Sequence, residues 1–123
     1  MTTVARLIVS SLALVPLAAA AGASGSGARL TISPASVARG GVVHIRGNVD
    51  GCSTGNTVFV ISRAFVHTHE FAGVSAVLAR VRAGGAFRAT TVIPRARRPG
   101  RYNVTARCGG GNLGVLVHLT VRR

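Results

Sequence analysis

The sequence predicts an all-β fold, a sandwich or barrel of short strands, and three observations carry that prediction. Val, Thr, Ile and Gly are abundant, and Gly and Pro recur at short intervals. Short runs of alternating apolar and polar residues are separated by turn residues, the pattern of strands with one buried face. No segment after residue 23 sustains an apolar period near 3.6, the spacing that sets one face of a helix against a core.

Residues 1–23 read as an export signal. A short n-region with Arg6 leads into the apolar stretch Leu7 to Leu17, followed by the small-residue tract Ala18 to Ala23. Ala21-Gly22-Ala23 supplies the small side chains a signal peptidase requires, making Ser24 the expected first mature residue. A membrane anchor is the rival reading. Ser10, Ser11, Pro16 and Gly22 interrupt the run, however, and a span needs about 20 apolar residues. No later apolar stretch follows, so no stable membrane insertion is expected after cleavage and the mature protein is expected to be secreted or associated with the cell envelope. The remaining length of about 100 residues is ordinary for one core and too short for two. The expected organisation is a signal over 1–23, a flexible mature N-terminus over 24–27 and one domain over 28–123.

Along the domain, Ala28 to Ser33 is the first strand, ended by Pro34 and the Ser36 to Gly41 connection. In the second, Val42 to Gly47, Val43 and Ile45 face one way and His44 and Arg46 the other. After a loop containing Cys52, Thr57 to Arg63 is apolar on both faces, as a central strand would be. Ala64 to Gly73 reads as irregular or a poor edge strand. Val74 to Arg82 and Ala86 to Ile93 flank Gly84-Gly85, whose tolerance of positive φ suggests a two-residue hairpin. On these strands Val77, Ala79 and Val81 are expected inward with Phe87, Ala89 and Ile93. Tyr102, Val104, Ala106 and Cys108 then alternate with Asn103, Thr105 and Arg107; finally Val115, Val117, Leu119 and Val121 alternate with Leu116, His118, Thr120 and Arg122. Seven strands in about 95 residues suit a single immunoglobulin-like β-sandwich.

Specific residues carry a resemblance as well. Ser33-Pro34 with Gly40-Gly41, the Gly85-Ala86-Phe87 step, and Ile93-Pro94 followed by Pro99-Gly100-Arg101-Tyr102-Asn103-Val104 resemble short immunoglobulin-like modules of secreted, actinobacterial-type proteins. The resemblance covers nearly all of the mature chain and implies a fold that hosts many binding roles.

Cys52 follows the second expected strand and Cys108 ends the sixth. In a seven-strand immunoglobulin-like arrangement these two strands run the same way in opposing sheets, so both cysteines fall at one pole. An exported chain with two cysteines is expected to pair them, two free thiols or a metal pair being the alternatives.

The formal net charge is +13, and without Arg6 fourteen arginines face only Asp50 and Glu70, a balance of +12. Such an excess favours anionic partners, among them envelope polymers, acidic lipid and nucleic acid. All 15 basic residues are arginine, which a GC-rich coding bias would also produce. The expected strand order gathers Arg39, Arg63, Arg95, Arg97, Arg98, Arg101, Arg122 and Arg123 at the pole opposite the cysteines. That pole is the candidate polyanion contact, because guanidinium groups grip phosphate and carboxylate in a bidentate fork. With five aromatic side chains, mostly in apolar strand contexts, the chain offers no row of stacking platforms, so specific nucleic-acid recognition is not expected.

His67-Thr68-His69-Glu70 is a weak metal candidate, since an extended strand would place His67 and His69 on one face and point Glu70 away. No catalytic residues are identified: the two carboxylates lack evident partners, and no nucleophile lies in an elbow or dyad. Gly109-Gly110-Gly111 lacks the Lys-Ser/Thr of a phosphate loop and reads as a turn. Asn103-Val104-Thr105 matches a glycosylation sequon within an expected strand. No cofactor is expected. The expected function is a non-enzymatic exported binding module for an anionic envelope polymer or another protein. The alternatives are a structural secreted protein and a small-molecule carrier, because Leu30-Thr31-Ile32-Ser33-Pro34 to Gly47 is loosely similar to enediyne apoproteins. A deep apolar cleft beside Cys52, Cys108 and residues 109–112 would mark the carrier.

Overall fold

The computed structural model describes residues 27–109 and 111–123. The expected export signal over 1–23 and the first mature residues lie outside them. Nine strands form: β1 (Ala28–Ser33), β2 (Ser36–Ala38), β3 (Val42–Val49), β4 (Thr57–Ile61), β5 (His69–Phe71), β6 (Val74–Arg80), β7 (Ala86–Val92), β8 (Gly100–Cys108) and β9 (Gly111–Arg122). They make two sheets, a three-stranded β1-β3-β7 and a six-stranded β2-β9-β8-β4-β6-β5. The short β2 runs parallel to β9, and the other pairs are antiparallel. The fold is therefore all-β, and no helix among the described residues is long and apolar enough to cross a membrane.

The period-2 alternation determines which side chains make the core. Leu30, Val43, Ile45 and Phe87 of the three-stranded sheet meet Val58, Val60, Val104, Ala106, Leu119 and Val121 of the six-stranded sheet in one cluster. Burying each Val, Leu, Ile or Phe side chain stabilises the fold by about 1.5–3 kcal/mol. Phe65 and Ile93, both fully buried, extend that cluster from the loops following β4 and β7. A disulfide joins Cys52, in the β3–β4 loop, to Cys108 at the end of β8, with the Cα atoms 6.3 Å apart. The expected pairing is thus present.

Two short strands add to the seven expected. Within the Ser36 to Gly41 connection, Ser36–Ala38 pairs with Thr120, Val121 and Arg122. Within Ala64 to Gly73, read as irregular or a poor edge strand, His69–Phe71 forms the outermost strand of the six-stranded sheet, a three-residue edge strand. The expected hairpin at Gly84-Gly85 is corrected, because β6 and β7 belong to different sheets. Ala83–Gly85 is instead a tight turn, closed by Gly85 N donating to Arg82 O at 2.9 Å and Arg82 N to Ala86 O at 2.8 Å, that carries the chain from one sheet to the other. Gly85 is required there by close approach: a Cβ would stand 2.2 Å from the Val49 carbonyl oxygen, and φ is +86°. A two-residue hairpin lies at Ala72-Gly73, joining β5 to β6 with φ of 51° and 84°, the left-handed pair such a turn demands.

Candidate functional site

The strand directions bring the ends of β4, β7 and β9 and the starts of β3 and β8 to the pole opposite the disulfide. All eight arginines selected from the sequence lie there, on strand ends or the loops between them. Backbone hydrogen bonds join the segments, with Arg39 N donating to Arg122 O at 3.1 Å and Gly40 N to Ile93 O at 2.7 Å. Two of the eight also hold the fold together. Half-buried Arg97 donates from Nε to Ala64 O at 3.3 Å and from Nη2 to Phe65 O at 3.1 Å. Arg122 Nε donates to Ser36 Oγ at 3.0 Å. The Tyr102 hydroxyl donates to Arg98 O at 2.5 Å, closing the turn into β8 on which Arg98 and Arg101 are displayed.

None of these arginines is ion-paired among the described residues. Glu70 Oε1 lies 2.7 Å from His67 Nε2 on the strand beside Ser75 and Val74, and Asp50 follows β3 at the disulfide pole. Seven of the eight guanidinium-bearing residues are exposed, so their positive charge is presented to solvent with no carboxylate in salt-bridge contact among the described residues.

Two of the arginines border a concavity of about 450 Å³ on the outer side of the six-stranded sheet, lined by Arg63, Arg101, Ile61, Val74, Asn103 and Thr105. Ser62 and Tyr102 complete its wall. Pairing of Ile61 with Ala76 and with Thr105 fixes the strands beneath it. The sequence alternation already places Asn103 and Thr105 outward beside Arg101. What it does not supply is the neighbouring strand, so the apolar contribution of Ile61 and Val74 has no local signal. At the other pole, Val49, Cys52, Thr54, Gly84 and Gly85 border an open depression of about 500 Å³ formed by loop backbone and small side chains.

The histidine segment differs from its expected geometry. Thr68 N donates to Val66 O at 3.1 Å, which bends the chain before β5, so His67 does not share an extended face with His69. Glu70 turns toward His67 instead of away from it. The other imidazole nitrogen, Nδ1, lies 3.2 Å from Ser75 Oγ. Serine, imidazole and carboxylate therefore follow one another as in a hydrolytic triad but with the two ring nitrogens exchanged, and Ser75 is buried, at 7% exposure. The array ties the bend onto β6. His44 pairs with Thr90 Oγ1 at 3.2 Å on the three-stranded sheet, and His118 lies on β9 of the other sheet. No group of three metal-ligating side chains forms among the described residues.

No family model matches the chain, and no characterised protein matches it by sequence. Among solved structures, the Pseudomonas fluorescens alkylpurine DNA glycosylase AlkC, bound to DNA containing an abasic site analog, aligns at a TM-score of 0.51 and 17% identity. The alignment covers 80% of this chain but 31% of the glycosylase chain. At that identity the similarity concerns the fold alone.

Proposed function

We propose that this protein is an exported, non-enzymatic, immunoglobulin-like module that binds anionic polymers, such as those of a cell envelope, through its arginine-rich pole. The observation that carries this reading is the gathering of eight arginines at one end of the sandwich with no carboxylate partner among the described residues. Like charges brought together repel, and an anionic partner relieves that repulsion while releasing counterions. A disulfide between the only two cysteines supports export to an oxidising compartment.

Support for the immunoglobulin-like assignment comes from the strand order. Sheet β1-β3-β7 corresponds to strands A, B and E of that fold, and β9-β8-β4 to G, F and C, with β6 beside β4 in the place of C′. The disulfide ties the loop that follows the B strand to the end of the F strand, and the hydrogen bond from Tyr102 to Arg98 O is of the tyrosine-corner kind.

The test is retention of the disulfide-bonded protein on heparin-like and envelope-derived anionic polymers across a salt series. Affinity should fall linearly in a plot of log K against log salt. Retention that ignores ionic strength would overturn the electrostatic reading.

A further inference from the structure

We propose that the concavity across β6, β4 and β8 is a binding site for a sugar unit carrying an oxyanion, either a carboxylate or a sulfate or phosphate ester. This rests on the polyanion reading and narrows it from a charged surface to a site. The volume, about 450 Å³, lies within the roughly 300–1,000 Å³ of small-molecule sites.

The lining supplies three kinds of recognition together. Arg63 and Arg101 border the space, both exposed and neither ion-paired among the described residues. Each can present a planar fork to an oxyanion. Asn103 and Thr105 project from the same face of β8 as Arg101 and bring an amide and a hydroxyl, groups that both donate to and accept from sugar hydroxyls. Half-buried Ile61 and Val74 offer an apolar strip for the C–H face of a pyranose ring.

The other two polar groups are already engaged. Ser62 Oγ accepts from Ala64 N at 3.1 Å, and the Tyr102 hydroxyl donates to Arg98 O. Ligand contact therefore falls to Arg63, Arg101, Asn103 and Thr105.

This mixture discriminates between anions. A bare inorganic ion has no use for the apolar strip or the volume, and an acidic peptide presents carboxylates without the hydroxyls that Asn103 and Thr105 would bind. Ile61, Arg101, Asn103 and Thr105 sit on paired strands, so the backbone beneath a ligand is already ordered and the ordering cost falls on the side chains alone.

Calorimetric titration of the disulfide-bonded protein at one near-physiological ionic strength, about 0.15 M, provides the test. The probes are a uronic-acid tetrasaccharide, a sulfated tetrasaccharide, a glycerol-phosphate oligomer, a neutral tetrasaccharide and oligoglutamate. At least one acidic saccharide should bind saturably at one site, with the neutral sugar and oligoglutamate weaker by about tenfold or more. The first three probes distinguish carboxylate, sulfate and phosphate sources. Arg63→Gln with Arg101→Gln should weaken that binding at least about tenfold. Arg95→Gln with Arg98→Gln removes the same charge from the same pole but outside the concavity, so its loss should be clearly smaller, about threefold at most. Equal losses in the two double variants, or oligoglutamate binding as well as the sugars, would overturn the site. Salt-sensitive retention on polymers without saturable oligosaccharide binding would sink the site alone; absence of that retention would sink the parent reading.

Discussion

Replacing Gly47 with alanine tests how the three-stranded sheet closes over the core. Gly47 lies on β3 opposite Leu30 of β1 and Phe87 of β7, and the Phe87 ring fills the space its missing side chain leaves. A Cβ at residue 47 would stand 2.1 Å from Phe87 Cζ, 2.4 Å from Cε1 and 2.6 Å from the Arg29 carbonyl oxygen. Phe87 is 2% exposed, so its ring cannot swing into solvent, and the Arg29 carbonyl is backbone. Overpacking of this kind costs about 1–3 kcal/mol, and the backbone contact places Gly47 toward the upper end. Alanine recovers about 0.5–1 kcal/mol through the lost freedom of glycine in the unfolded chain. The net destabilisation is about 2 kcal/mol, a fall in Tm of roughly 8–16 °C for a domain of this size.

Circular dichroism of urea and thermal unfolding reads that loss. Gly111→Ala is the matched control, since its Cβ would meet the Cys108 carbonyl oxygen at an ordinary 3.5 Å. Phe87→Leu relieves the clash, so the double variant Gly47→Ala, Phe87→Leu should be less damaged than the sum of its parts by at least about 0.5 kcal/mol. A Gly47→Ala protein within about 0.5 kcal/mol of the parent, or a strictly additive pair, would refute the packing account.

Replacing Cys52 and Cys108 with alanine opens a closed loop spanning a sequence separation of 56, which on the chain-entropy model costs about 4 kcal/mol. Urea unfolding of parent and variant, with and without dithiothreitol, checks this: the reductant should destabilise the parent only, and a loss below about 1 kcal/mol would contradict the model. Arg97→Gln should destabilise by about 1–3 kcal/mol, because it removes the donors to Ala64 O and Phe65 O. Its retention on anionic polymers at matched salt should change no more than that of Arg98→Gln; an unaltered unfolding midpoint would show that those carbonyls do not depend on Arg97.

The strands were legible wherever one face is buried, because period-2 alternation is a local property. Val43 with Ile45, Val104 with Ala106, and Leu119 with Val121 all stand inward as their spacing requires. Gly84-Gly85 was misread because a glycine pair serves a hairpin and a sheet crossing equally well. The deciding contact is with the Val49 carbonyl, 36 positions before Gly85, which no local window contains. The Ala72-Gly73 hairpin was hidden for a related reason: Ala72 is an uncommon residue for positive φ, and β5 is only three residues long. β2 was invisible because its pairing reaches from Ser36 to Thr120.

The pole was legible from topology because strand direction alone carries distant arginines to one end. Its internal differentiation was not. Arg97 and Arg122 are tethered to Ala64, Phe65 and Ser36, so their guanidinium groups are partly committed to the fold. Arg63 and Arg101 share a concavity with Asn103 and Thr105, whereas Arg39, Arg95, Arg98 and Arg123 do not line it. Under the proposed function these groups divide the work by range. Charges outside the concavity act across a Debye length of about 8–10 Å, drawing an anionic chain toward the pole with little regard for its chemistry. The pair at the concavity acts at hydrogen-bond distance, where an amide, a hydroxyl and an apolar strip distinguish one anion from another. Net charge therefore describes the approach of a partner, and the three segments meeting around Ile61, Val74 and Thr105 describe its selection.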